Sequence, residues 1–258
     1  MKTNIIFFGN GPLADVALSV LSQHFTILFH ARTKEDLTTV KNIKAKNPEA
    51  IGVLASFGVI IKKDVLDLFE PVGILNIHPS LLPKYRGASP IESAIINGDT
   101  DFSVSVMKLV PAMDAGPVYY QTTLKDLPID KTAIYEALAT AGAEWIVQNI
   151  YTLPTPVKQD DSQATFTTKF DKSSSTLNPL NNTAEKVFRQ IVAYQYFPKP
   201  KYTFFGLECI ILKAHVADTA ETDLSICCSD GKYVIVDQLQ PMSRKPMDAK
   251  SFLNGYKK

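Results

Sequence analysis

One short segment of the 258 residues concentrates side chains able to do chemistry: Asn76-Ile-His78-Pro-Ser80-Leu81-Leu82-Pro83-Lys84-Tyr-Arg86. Asn76 and His78 are separated by one residue at the end of an apolar run, so in an extended strand both side chains leave the same face. An amide donor beside an imidazole can hold a developing oxyanion while a proton moves near neutral pH. That pairing suits acyl transfer. Pro79 and Pro83 stiffen the loop, and Leu81 and Leu82 are poorly suited to face water without a reason. A plainer reading stays open, in which His78 is a satisfied core histidine in a rigid loop. Asp114, in Met113-Asp-Ala-Gly116-Pro, lies between two strand candidates, 102–109 and 117–124, in a turn that Gly116 lets bend. Its carboxylate can orient His78 and stabilise the charged imidazole, or it is simply an Asx-type turn residue. Arg86 and Lys84 also have two readings: they face a phosphate or carboxylate ligand, or Arg86 pairs with a carboxylate of the chain to fix the loop.

Such residues need a scaffold, and the first half of the chain supplies one. Short apolar runs at 4–8, 25–29, 50–55 and 73–77 read as strands, with amphipathic stretches between them. Leu13, Val16, Ala17, Val20 and Leu21 form the stripe of a helix packed on a sheet. Strands alternating with helices predict an α/β domain with a doubly wound, mainly parallel, Rossmann-like sheet. In such sheets ligands sit beyond the carboxyl ends of the strands, where the Asn76 loop begins. Gly9-Asn-Gly11 invites a phosphate-loop reading, but a tight strand-to-helix turn explains it as well. A long helix is predicted over 131–151.

The chemistry changes after that helix. Residues 153–164 hold Pro154, Pro156 and a polar run, which is linker composition. This divides the chain into a first domain, 1–152, a linker, 153–164, and a second domain, 165–258. The second domain reads as a helix over 183–194, with Thr183 as N-cap, and short strands at 202–205, 208–215, 223–228 and 232–239. Short strands with turn signals such as Ser229-Asp-Gly suggest a small β-barrel of oligonucleotide-binding (OB) type.

Composition narrows the function classes. The hydrophobic share is 45% and the charged share 21%, which excludes a disordered or fibrous chain. No window approaches 18 consecutive apolar residues, and residues 1–8 run into a strand pattern rather than a leader, so the expectation is a cytoplasmic protein with no membrane partner. Cys209, Cys227 and Cys228 offer no disulfide framework and no metal spacing. Residues 1–150 carry 13 Lys and Arg against 15 Asp and Glu, and residues 151–258 carry 14 against 11. This asymmetry neither demands nor forbids an RNA partner. Lys34, Lys41, Lys44 and Lys46 are expected on the solvated face of a helix. No exposed heptad argues for assembly, so a monomer is the default.

Asn76-Ile-His-Pro-Ser-Leu-Leu-Pro83 followed by Asp114-Ala-Gly resembles the folate-dependent formyltransferase family, and Ala55-Ser-Phe-Gly-Val-Ile, Ile96-Asn-Gly-Asp and Val104-Ser-Val-Met extend the likeness. Arg86-Gly-Ala-Ser-Pro-Ile, and in the second half Phe166-Thr-Thr-Lys-Phe, Arg189-Gln-Ile-Val-Ala-Tyr-Gln-Tyr-Phe-Pro and Leu239-Gln-Pro-Met-Ser-Arg-Lys-Pro, are similar to the branch that formylates methionyl-tRNA. The resemblance implies 10-formyltetrahydrofolate as donor, initiator methionyl-tRNA as acceptor and no metal. It implies that Asn76, His78 and Asp114 are catalytic and that Ser80, Leu81, Leu82 and Pro83 line the folate pocket. Lys84 and Arg86, and Lys199, Lys201, Lys213, Arg244 and Lys245 in the second domain, are then candidates for tRNA contact. The start departs from the family's usual Phe-Gly-Thr-Pro-x-Phe-Ala, reading Phe8-Gly-Asn-Gly-Pro-Leu-Ala. The stretch 30–48 is also short where well-known bacterial members insert a basic loop that reaches the tRNA. That shortness keeps two rivals in view, a formyltransferase acting on an amino-sugar nucleotide or other small amine, and a catalytically silent folate- or RNA-binding module.

Overall fold

The structure, a computed structural model, describes residues 2–256. It divides into two compact units, Met1–Ile91 with Thr100–Thr168, and Glu92–Asp99 with Lys169–Lys258. In chain order the first contains β1 (Asn4–Gly9), α1 (Pro12–His24), β2 (Thr26–Ala31), α2 (Asp36–Lys46), β3 (Ile51–Ala55), α3 (Lys63–Leu66), β4 (Ile74–His78) and β5 (Arg86–Gly87). Helix α4 (Pro90–Asn97) spans the division, and β6 (Phe102–Lys108), β7 (Val118–Leu124), α5 (Lys131–Asn149) and β8 (Phe166–Thr167) complete this half.

Six strands form a sheet in the order β2-β1-β3-β4-β6-β7. Pairing is parallel from β2 to β4 and antiparallel from β4 through β6 to β7, so the sheet is mixed. For β6 and β7 the reason is local: they are joined by the nine residues 109–117 rather than by a crossover helix, and a hairpin can only be antiparallel. Alternation along β1 puts Ile6 and Phe8 in a core with Val40 of α2 and Val65 of α3, while Ile5 and Phe7 face the other side. On that other side α1 packs against α5, and α5 lies on β6 and β4. Helix α1 starts at Pro12 and buries Leu13, Ala14, Ala17 and Leu21; Asp130 caps α5 by accepting the Ala133 N–H at 2.8 Å.

Helix α5 comes so close to the sheet that a Cβ on Gly142 would stand 2.6 Å from Ile77 Cγ2 and 3.3 Å from Val104 Cγ2. Ile77 is the residue between Asn76 and His78, so this contact presses one face of β4 while the two polar side chains leave the other.

The segment 153–164, whose composition reads as a linker, is packed onto the first unit. Val118 and Val157 exchange backbone hydrogen bonds of 2.8 Å each, and β8 pairs in parallel with β5. Within it Gln159 is buried, whereas Lys158, Asp160, Ser162 and Gln163 stay exposed. Lys44 also departs from expectation. Lys34, Lys41 and Lys46 are exposed, but Lys44 is buried, its ammonium donating to the carbonyls of Pro48 and Ala50 and lying 5.0 Å from the Phe69 ring centroid. Desolvation there lowers its pKa.

The second unit contains α6 (Ala184–Ala193), β9 (Lys201–Phe204), β10 (Leu207–Ala217), β11 (Ser225–Cys227), β12 (Tyr233–Pro241), β13 (Met247–Asp248) and α7 (Ala249–Tyr256). Thr183 caps α6 through the Lys186 N–H. The strands form an antiparallel sheet in the order β11-β12-β10-β9, with β13 beside β12. Register shifts near Ile211 and Lys213 bend β10, and the sheet curls as a half-barrel around Val187, Ile191, Leu224, Val234 and Phe252. Among the described residues no pairing joins β9 to β11. Cys209 and Cys228 lie in this core and Cys227 is exposed, all three free; burial pushes the Cys228 thiol up to about 11. Among the described residues no helix is long and apolar enough to cross a membrane.

Gly142→Ala is expected to destabilise the first unit by about 1–3 kcal/mol, despite alanine's better helix propensity, because the added methyl overpacks against Ile77. Urea unfolding measures it. On the second sheet His215 Nδ1 lies 3.0 Å from Asp237 Oδ2 and Nε2 lies 3.4 Å from Glu221, and the Asp237 hydrogen bond raises its pKa. A raised histidine pKa stabilises the fold below the unfolded value and the effect fades as pH rises through the folded value. Asp237→Asn should therefore lower the His215 titration midpoint followed by NMR and narrow the stability difference between pH 5 and pH 8.

Candidate active site

The last turn of β4 brings Asn76 and His78 out on one face, 4% and 5% exposed. The Nε2 atom of His78 lies 3.0 Å from the Tyr85 carbonyl. A carbonyl can only accept, so Nε2 is the donor, and Nδ1 is the nitrogen that faces Asp114 Oδ1 at 3.7 Å. That distance is too long for a hydrogen bond but within ion-pair range. The other Asp114 oxygen accepts the Gly87 N–H at 2.8 Å. Asp114 itself sits at φ 46°, a left-handed conformation that Asp tolerates better than most residues. Gly116 matters for a different reason: a Cβ there would meet the Lys108 carbonyl at 1.8 Å. The Asn76 amide makes no hydrogen bond with any described residue. A nearly buried amide with donors to spare fits an oxygen that gains charge during a reaction.

The loop that follows β4 is held from several sides. Ser80 donates to the Lys84 carbonyl at 2.6 Å, and Ser105 of β6 donates to the Ser80 carbonyl at 2.6 Å while accepting the Leu82 N–H at 3.2 Å. Gln121 of β7 donates to the Leu82 carbonyl at 2.7 Å and to Ser105 Oγ at 2.9 Å. Leu82 is buried against Met107 and Val118, whereas Leu81 is 41% exposed. Leu82 and the cis-bonded Pro83 border a cavity of about 380 Å³, whose other walls include Val118, Tyr120, Val157 and Gln159.

Arg86, 4% exposed, is committed to the chain itself. Its guanidinium donates to Gln159 Oε1 at 3.0 and 2.7 Å and pairs with Asp161 at 2.8 Å. Of its two readings, pairing with a carboxylate of the chain is the one the geometry contains. Lys84 is exposed. In the second unit Lys199, Lys213, Arg244 and Lys245 are exposed, and Lys201 pairs with Glu208 at 2.9 Å. The sequence reading missed Gln159, Asp161, Ser105 and Gln121. Ser105 lies inside the Val104-Ser-Val-Met stretch and Gln159 and Asp161 inside the polar run of 153–164, but nothing local marks any of the four as a partner of the loop, and only the fold brings them to it.

Asn76, His78 and Asp114 thus lie together at the carboxyl end of a strand in a mixed α/β sheet. The chain belongs to the formyl transferase family: residues 12–150 match its "Formyl transferase" profile and residues 169–257 its "Formyl transferase, C-terminal domain" profile. Among its relatives is a methionyl-tRNA formyltransferase of Granulibacter bethesdensis, 33% identical over 256 residues that cover 93% of this chain and 77% of the relative. Similar solved folds include the methionyl-tRNA formyltransferase from Clostridium thermocellum, at TM-score 0.69, 19% identity and coverage of 94% and 99% of the two chains. Another is HypX from Aquifex aeolicus in complex with tetrahydrofolic acid, at TM-score 0.72 and 15% identity. That match covers 100% of this chain and 48% of HypX, so the chain spans about half of that protein.

Ser105 is fully buried and serves three partners at once, so Ser105→Ala leaves the Ser80 carbonyl, the Leu82 N–H and the Gln121 amide short of partners. The expected loss is about 1–3 kcal/mol, read from urea unfolding, with the 80–84 loop becoming more sensitive to protease.

Proposed function

We propose that the chain transfers the formyl group of 10-formyltetrahydrofolate to the α-amine of methionyl-tRNA, giving N-formylmethionyl-tRNA for translation initiation. The observation that carries this reading is the Asn76, His78 and Asp114 grouping, with a spare buried amide beside an imidazole faced by a carboxylate. The acceptor rests on likeness to relatives bearing that name over both domains of the chain.

In this mechanism the amine attacks the formyl carbon and the C–O π electrons move onto oxygen. Asn76 donates to that oxygen, and the His78 imidazole lies on the same face of the strand. Asp114 keeps the imidazole in register. The C–N10 bond then breaks, its electrons return to the folate nitrogen, and the proton released by the amine is relayed to N10 through His78 or a water. Leu82 and Pro83 supply apolar wall for the folate, with Ser80 and Leu81 completing the loop. The second domain serves as an OB-like tRNA-binding domain, and Lys199, Lys201, Arg244 and Lys245 give phosphate contacts whose affinity falls with salt. The protein acts as a cytoplasmic monomer on initiator tRNA.

The test is a formylation assay with 10-formyltetrahydrofolate and charged initiator methionyl-tRNA, with His78→Ala alongside. The parent should make formyl-methionyl-tRNA, and the variant should lose about 10²–10⁴-fold in turnover. Product from neither protein removes the tRNA assignment and moves the search to amino-sugar nucleotides and other small amines. Equal turnover by both removes the assigned site.

A further inference from the structure

Gln159 lies in the segment whose composition reads as a linker, yet it makes four hydrogen bonds and is 7% exposed. Its Oε1 accepts from Arg86 Nε and Nη2 at 3.0 and 2.7 Å. Its Nε2 donates to the carbonyls of Asp114 and Gly116 at 2.8 and 2.7 Å. The orientation of the amide is not interchangeable, since a guanidinium can only donate and a carbonyl can only accept. One side chain therefore ties the Arg86 strand to the backbone of Asp114 and of Gly116 two residues on. The Asp114 carboxylate is fixed from the same strand by the Gly87 N–H, one residue beyond Arg86. Val157 anchors Gln159 in turn, through its two backbone bonds to Val118. We infer that Gln159 is a positioning residue for the transfer reaction, holding the Asp114 turn so that its carboxylate faces His78.

The inference rests on the proposed role of Asp114 and His78, and the experiment separates the two. Gln159→Glu keeps an acceptor for Arg86 but sets a carboxylate oxygen against two carbonyl oxygens. Gln159→Met keeps the length and removes both functions. Each is made in the full chain, alone and with Asp114→Asn, and thermal unfolding confirms the fold. Both single variants should lower kcat about 10–100-fold, with KM for donor and acceptor changed less than threefold. In the Asp114→Asn background the same replacements should cost less than about threefold, because the turn they hold no longer carries its carboxylate. Without substrate, the Gly87 amide should lose its protection from hydrogen exchange in both single variants. Parental kcat in Gln159→Glu, an effect only on KM, or equal losses in the two backgrounds would overturn the inference. If Asp114→Asn itself turns over like the parent, the reading of the site falls and the positioning role falls with it. If both variants lose structure on thermal unfolding but keep parental Gly87 protection when folded, the residue is structural only and the inference is wrong.

Discussion

An imidazole and a carboxylate held 3.7 Å apart, both largely removed from water, set the conditions that the surrounding structure meets. Such groups are costly to bury unless paired and bonded, and a 3.7 Å separation is too long for a direct hydrogen bond to hold it. The geometry is therefore imposed from outside. The Tyr85 carbonyl fixes one ring nitrogen of His78, and the Gly87 N–H fixes one oxygen of Asp114. Tyr85 directly precedes the two-residue strand β5 and Gly87 is its second residue, and the partner of that strand, β8, lies about 80 residues further along the chain.

The sheet explains why β4 carries this centre. It is the last parallel strand and the first with an antiparallel neighbour, so its carboxyl end opens onto loops arriving from two different connections. Ile77 is pressed by α5 through Gly142, which fixes the strand from behind while Asn76 and His78 leave its opposite face. The β6–β7 connection returns Asp114 to the same end, and this is possible because Gly116 lets the backbone pass against Lys108.

Much of this was legible in the sequence. The strands of the first unit lie within a residue or two of the apolar runs, since a strand buried on both faces needs a continuous apolar stretch. Thr183 caps its helix, and one-residue spacing correctly places Asn76 and His78 on one face. Strand direction was less legible, because a run of apolar residues carries no information about whether the next strand returns by a helix or a hairpin. Residues 153–164 look like a linker because local composition reports polarity, not the distant partners that satisfy it. Lys44 shows the same limit: its helix spacing suggests a solvated face, and only tertiary packing supplies the two carbonyls that bury it.

The most direct measurement is a crystal structure of the protein with a stable 10-formyl folate analogue bound. The account predicts the formyl oxygen within hydrogen-bond distance of the Asn76 amide, His78 beside it, and Asp114 still facing the imidazole. A ligand seated elsewhere, with its formyl group out of reach of both Asn76 and His78, would contradict it.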